Sequence, residues 1–354
     1  AGISAGSDGA RSNAVDSGCF LSQADMHSIA LNASFLDNAI RMRIEDRGPI
    51  RNVLLVGCGA SRADLYPGKF LITREAATLY ADTFTANEFV HATPGALGAQ
   101  SVVILCSHSG GTAETVESAR LAQSAGALTI ALTHNESGGI TETVDHAIIY
   151  EWGDDTPVDN NPMTIALALC LEVLQQAEGY AHYDTFRTAI EQIDGIVRTA
   201  RESVRASADA FAHRRGNDSP FYILSSGASY AHAYAFAICS LMEMQWLDAA
   251  AIHSGEFFHG PFEITDEETN FIVLVNEGRT RPLDERVLAF LDRHAKEVEI
   301  IDARELGLSA LPGAIVDYFN PVLFYSVLTV YRDALARVRE HPVDTRRYMG
   351  KVEY

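Results

Sequence analysis

Residues Ser101-Val102-Val103-Ile104-Leu105-Cys106 form a short apolar run and lead straight into Ser107-His108-Ser109-Gly110-Gly111-Thr112-Ala113-Glu114-Thr115. An uninterrupted run of that length, rich in β-branched side chains, is the pattern of a strand buried on both faces, as in a parallel sheet. Behind the polar turn, Ala113, Val116, Ala119 and Ala122 recur at helical spacing, so Thr112 to Ala122 is expected to be a helix. Strand, Ser/Gly turn and helix in that order point to an α/β fold. The turn has two readings. The first N–H groups of a helix lack partners within it and its N-terminus is partly positive. Glycines and hydroxyls placed there make a pocket for a small anion such as phosphate. The same residues can also be an ordinary N-cap. No Gly-Lys-Ser/Thr follows and the three-glycine dinucleotide spacing is missing, which excludes those two nucleotide loops.

The unit repeats along the chain. Asn52 to Val56 reads as a strand that ends in Gly57-Cys58-Gly59-Ala60-Ser61, a second Gly/Ser turn before a helix. Parallel strands present their C-terminal ends on one edge, so two such turns on neighbouring strands would share a crevice. Further strands are expected over Phe84–His91, Ala127–Leu132 and Ala147–Tyr150. A helix over Met26–Arg43 is expected before them, and an apolar helix from Asn160 to Gln176 closes the set, with Asn160-Asn161-Pro162 as its start. The order implies a doubly wound parallel sheet. The composition turns polar near residue 180, followed by an expected linking helix to about Arg214. A second series then begins, with strands over Phe221–Leu224, Asp248–Ile252, Phe271–Val275 and Glu297–Ile301, and helices over Ala231–Trp246 and Phe319–Arg339. Ser225-Ser226-Gly227-Ala228-Ser229 repeats the design of residues 57–61. The expected division is an N-terminal arm and helix over 1–40, a first domain over 41–180, a linking helix and second domain over 181–340, and a tail over 341–354 carrying Arg346, Arg347, Tyr348 and Lys351.

The 354 residues carry a formal charge of −20, which argues against a nucleic-acid binder that needs a basic face. No apolar run approaches the length of a membrane span, so no membrane partner is expected. Residues Ala1 to Asn13 lack the apolar core of a secretory signal and read as a flexible arm. The five cysteines are widely spaced with no CxxC, and read as reduced thiols of a cytoplasmic protein. No Cys/His cluster has zinc spacing, and no metal is expected.

Glu243 lies between Met242 and Met244 on an otherwise apolar stretch. A carboxylate there is either a helix-surface residue or a functional one whose pKa burial would raise toward proton transfer near neutral pH. His259 precedes Gly260-Pro261, and Glu256 lies three residues before it. The histidine is either held by structural hydrogen bonds or an acid/base group, and Glu256 on the same turn, counted with the substrate-binding candidates, could orient its ring or hold the turn.

Taken together, Ser107-x-Ser-Gly-x-Thr-x-Glu-Thr, Gly57-x-Gly-x-Ser61 and Gly255-Glu-x-x-His259-Gly-Pro resemble the sugar isomerase (SIS) family, in which two SIS domains share one chain. The resemblance covers roughly residues 40 to 354. It is nearest to the isomerase half of glucosamine-6-phosphate synthase and to the fructosamine-6-phosphate deglycases, where a Glu likewise stands sixteen positions before the His. The ending Arg346-Arg347-Tyr348-Met349-Gly350-Lys351-Val352-Glu353-Tyr354 is similar to that of the deglycases. By position, the resemblance implies that Ser107, Ser109 and Thr112 hold a phosphate, that His108 lends its backbone, and that Gly59 and Ser61 contact the sugar. It implies that Glu243 moves protons at C1 and C2 and that His259 opens the ring or acts as partner acid/base, donated across a homodimer interface with shared sites. The synthase has a Lys three residues before its catalytic Glu where this chain has Ser240. Lys351 falls where the synthase places its ring-opening or Schiff-base lysine and where the deglycases generally have an apolar residue, and is otherwise a tail lysine in a surface ion pair. The implied substrate is a phosphorylated sugar amine, cleaved by a deglycase with no cofactor, since each step is proton transfer plus hydrolysis. An aldose–ketose isomerase, a glucosamine-6-phosphate deaminase-like enzyme and a non-catalytic sugar-phosphate sensor are the alternatives.

Overall fold

The structure is a computed structural model and describes residues 33–153 and 156–353. The chain begins with helix α1 (Ala33–Arg47), followed by β1 (Asn52–Gly57), α2 (Gly59–Glu75), β2 (Tyr80–Thr85), α3 (Ala86–His91), β3 (Ser101–Cys106), α4 (Ala113–Ser124), β4 (Leu128–Thr133), β5 (His146–Ile149) and α5 (Pro162–Ala177). The five strands form one parallel sheet in the order β2-β1-β3-β4-β5. β1, β3 and β4 are buried along their whole length, which is why they read as unbroken apolar runs. The strand order reverses between β1 and β3. Their C-terminal ends therefore open the crevice in which doubly wound sheets bind ligands, and both Gly/Ser turns stand there.

Two helices link the halves, α6 (Tyr183–Ser203) and α7 (Arg205–Arg215), where one had been expected. The second half holds β6 (Phe221–Ser225), α8 (Tyr230–Ala235), a π-helical segment (Phe236–Glu243), β7 (Ala249–His253), β8 (Asn270–Val275), α9 (Arg281–His294), β9 (Val298–Asp302) and α10 (Asn320–Val338). Its four strands are parallel in the order β7-β6-β8-β9. The fold is thus two parallel α/β sheets flanked by helices, as the sequence implies.

Three expected elements come out differently. The strand placed over Phe84–His91 is the end of β2 followed by α3. Thr85 Oγ1 accepts from the Glu88 N–H at 3.3 Å and turns the chain into a helix that buries Phe89. The helix expected over Ala231–Trp246 begins at Tyr230 and widens into π geometry from Phe236. The helix expected from Met26 is described from Ala33 onward and runs to Arg47; residues 26–32 and Cys19 lie outside the described residues.

The largest apolar cluster runs through both halves, from Leu71 of α2 and Leu169 of α5 to Phe186 of α6 and Phe319. Polar contacts cross the same boundary. Arg279 meets Glu75 at 3.1 Å and Asp317 at 2.6 Å, and Glu75 also accepts from Tyr318. His232 Nε2 of α8 lies 3.4 Å from Asp64 Oδ1 of α2, both buried. Among the described residues no helix is long and apolar enough to cross a membrane.

Candidate active site

The turn after β3 leaves backbone donors open at the start of α4. Ser107 is buried, and its Oγ lies 3.0 Å from Thr112 Oγ1. The first helical N–H groups, Ala113 and Glu114, find no acceptor among the described residues, so donors remain for a ligand at the start of α4. Ser109 is exposed, with its hydroxyl accepting from the Gly111 N–H at 3.2 Å. The loop after β4 braces the turn. His134 N–H donates to His108 O at 3.2 Å, Ile140 N–H to Gly110 O at 2.9 Å, and Asn135 Nδ2 to Ser109 O at 3.1 Å. That bracing depends on two glycines. Gly110 has φ +64, and a Cβ on it would stand 2.9 Å from the Gly138 Cα.

His108 does more than lend its backbone. Its Nδ1 lies 2.9 Å from Tyr150 Oη, its ring stacks on His134 at 5.1 Å, and the Trp152 ring meets its edge at 4.8 Å. The residue is exposed overall, but partial desolvation of the ring, with His134 beside it, holds the His108 imidazole below the ordinary histidine value, and Asp64 opposes the shift. Gly59 opens α2 at φ +55. Neither Gly59 nor Ser61 is exposed. A cavity of about 170 Å³ lies against this turn, with Ser61, Asp64, His108, Tyr150, Cys239 and Ser240 among its walls.

Glu243 ends the π-helical segment and is about one-fifth exposed rather than buried. Its carboxylate is paired with Arg346 at 2.8 Å, so the tail supplies the charge that a buried position would have lacked. It lines a second, larger cavity of about 670 Å³, together with Met242, Trp246, Arg347, Tyr348 and Met349. The two cavities meet at the π-helical segment. Cys239 faces the smaller one, and a Cβ on Gly59 would lie 3.6 Å from its Sγ. Burial pushes the Cys239 thiol up to about 11, and the Glu243 carboxylate adds to the shift. The carboxylate therefore sits within electrostatic reach of the Gly59 turn.

The remaining expected residues stand apart. Lys351 is exposed and donates its Nζ to Arg346 O, binding the tail to itself and lining neither cavity. His259 is exposed in a 3₁₀ turn (Phe257–His259), and it too lines neither cavity. Glu256 is tied to it through the backbone, the His259 N–H donating to Glu256 O at 2.9 Å. No hydrogen bond joins their side chains, so Glu256 does not orient the ring in this chain. The second half's Gly/Ser turn repeats the φ of the first, with Gly227 at +57, but it is filled by its own side chains. Ser229 donates to Asn276 Oδ1 at 2.7 Å, Asn276 donates to Asp284 at 2.8 Å, and Ser254 donates to Asp284 at 2.6 Å. Sequence reasoning passed over Asp64, His232, His134, Tyr150 and the Arg346–Glu243 pair. These contacts join residues far apart in the chain, and no motif spacing signals them.

A model of the SIS domain matches residues 49–177. Fructosamine deglycase FrlB of Bacillus subtilis is 39% identical over 305 residues, 86% of this chain and 93% of that protein. A crystal structure from Salmonella typhimurium LT2, provisionally assigned as a phosphosugar isomerase, matches with a TM-score of 0.88 at 42% identity, covering 95% of this chain and 99% of that one. The C-terminal domain of glucosamine-fructose-6-phosphate aminotransferase from Francisella tularensis matches with a TM-score of 0.73 at 16% identity over 90% of this chain, a likeness of fold. Two parallel α/β sheets, the Ser/Gly turns on one sheet edge and these matches lead to one conclusion: the chain belongs to the sugar isomerase (SIS) family, as an enzyme of the sugar isomerase kind.

Proposed function

We propose that this protein is a deglycase that cleaves a 6-phosphorylated Amadori compound, a 1-amino-1-deoxyfructose 6-phosphate carrying an amino acid, to glucose 6-phosphate and the free amine. The observation that carries the reading is the placement of Glu243, a paired carboxylate on the π-helical segment whose Cys239 and Ser240 line the smaller cavity together with Ser61 and His108. The relation to a fructosamine deglycase supports it.

In this reading the phosphate lies on the α4 N-terminus with the Ser107 and Thr112 hydroxyls, and Gly59 and Ser61 bear on the sugar. Glu243 takes a proton from C1 of the ketose while His259 gives one to the C2 oxygen, giving an enaminol across C1 and C2. Glu243 returns its proton at C2 and the N–H proton passes to His259, leaving an imine between C1 and nitrogen. Water adds at C1, the C–N bond breaks with a proton passing to nitrogen, and glucose 6-phosphate and the amine leave. His259 serves as the second acid/base group. Because it is exposed and lines neither cavity of its own chain, the reading has two copies build each site, His259 from one and Glu243 from the other. The exposed Met242, Trp246, Tyr348 and Met349 around the larger cavity suit such an interface. Lys351, tied back to Arg346, has no step assigned.

Glu243→Gln and His259→Ala are each expected to lower glucose 6-phosphate release by about 10²-fold or more, while glucose 6-phosphate still binds. Calorimetric binding alongside a coupled release assay checks both, and full turnover in either variant removes that residue from the mechanism.

A further inference from the structure

The smaller cavity is bordered by His108 of the turn after β3 and by Ser240, three residues before Glu243. It is also bordered by α10, at Tyr325, Leu328, Thr329 and Arg332. A narrower recess of about 100 Å³ shares Trp152, Tyr325, Thr329 and Arg332 with it and carries on beyond them. The passage is walled by aromatic rings, Trp152 and Tyr325 lying 6.3 Å apart between centroids. The guanidinium at the junction is the feature that sugar-phosphate binding leaves unexplained.

Arg332 is less than one-fifth exposed. Its Nε and Nη2 both engage one carboxylate oxygen of its chain neighbour Asp333, at 2.8 and 2.7 Å. Among the described residues nothing engages Nη1, so one side of the planar fork keeps its donors. The other groups of the smaller cavity that can carry charge near neutral pH are Asp64, which meets the buried His232, and His108, while the narrower recess adds Glu151 and Arg201. In a chain of charge −20, an arginine held at the junction of two recesses selects for a negative group on the ligand. A ligand with no acceptor there would leave the Nη1 donors unmet, whereas a carboxylate would receive them.

Resting on the deglycase reading, we propose that this passage is the seat of the amine half of the substrate and that Arg332 receives its carboxylate, so that the enzyme selects Amadori compounds of amino acids over those of simple amines. The sugar phosphate spans the turn after β3 to the Glu243 wall, the carbon next to nitrogen enters between Trp152 and Tyr325, and the carboxylate meets Nη1.

The test compares two substrates on the full chain, fructosyl-glycine 6-phosphate and fructosyl-methylamine 6-phosphate, which differ by the carboxylate alone. The wild type is expected to favour the first in kcat/KM by roughly 10- to 100-fold, the range of a charge-assisted hydrogen bond. Arg332→Ala should remove that preference by raising KM for the glycine compound, leave the methylamine compound within about twofold, and Arg332→Lys should restore part of it. Equal use of both substrates by the wild type overturns the proposal. So does an equal loss on both in Arg332→Ala and Arg332→Lys, which would place the arginine at the phosphate or in the fold. Release from neither substrate by the wild type sinks the deglycase reading itself and this proposal with it.

Discussion

His108 stands at the join between the turn after β3 and the aromatic wall, and its protonation state is set by its surroundings. Partial desolvation of the ring and His134 lower its pKa relative to the ordinary value of about 6.5 that the unfolded chain would show. In the window between the folded value and about 6.5, the unfolded chain binds more protons than the folded one. The contribution of the neutral ring is therefore whole above that window and drains away as pH falls through it. A His108→Gln variant lacks the effect. The gap in Tm between wild type and His108→Gln should shift in the variant's favour on moving from pH 7.5 to pH 5, read by calorimetry at both, and a gap that stays constant would show that the ring titrates alike in both states. The motif drew attention to His108 for its backbone. Its side-chain role rests on Tyr150 and Trp152, which come from the far end of the same sheet. Glu243 shows the complementary case. Its position among apolar residues marks it in the sequence, while its partner Arg346 lies in a tail whose docking depends on the finished surface.

At the scale of elements, the buried parallel strands were legible because burial on both faces imposes an unbroken apolar run, as in β3 and β4. The closing helix of the first half was legible through its cap. Asn161 Oδ1 accepts from the Thr164 N–H at 2.8 Å, with Pro162 in the first turn. Asn161→Ala is expected to cost about 1 kcal/mol of stability, measured as a lower midpoint in urea with unchanged slope. A null effect would mean that the almost fully buried α5 holds its first turn by packing alone. The edge strand β2 was misplaced because only part of it is buried and its apolar residues run on into α3, so that periodicity alone does not separate the two. The π-helical segment left no trace in the sequence. Its widened turns set Cys239 and Ser240 on one cavity while Glu243 reaches the other.

At the scale of the molecule, the halves are joined by one apolar cluster and by the Asp64–His232 and Glu75–Arg279 contacts, which fixes α2 against α8 and so fixes the smaller cavity. The proposed mechanism asks for a second copy, because His259 faces outward. Mixing inactive Glu243→Gln with inactive His259→Ala, after dissociation and reassociation, should restore about a quarter of wild-type release, since half the pairs are mixed and each holds one intact site. No recovery would place both groups in one chain or remove one of them. Apolar runs, turn residues and motif spacing by themselves determined the two parallel sheets and marked the Ser107 and Gly59 turns and Glu243 as candidates. Each of these is imposed by local backbone chemistry or by burial that a short stretch records. Only the tertiary structure decided which turn stays open, since Gly227 is filled by Asn276 and Asp284 while Gly59 is not. It alone also decided which charges meet Glu243 and Arg332. Those outcomes depend on side chains brought together from distant parts of the chain, and packing settles them.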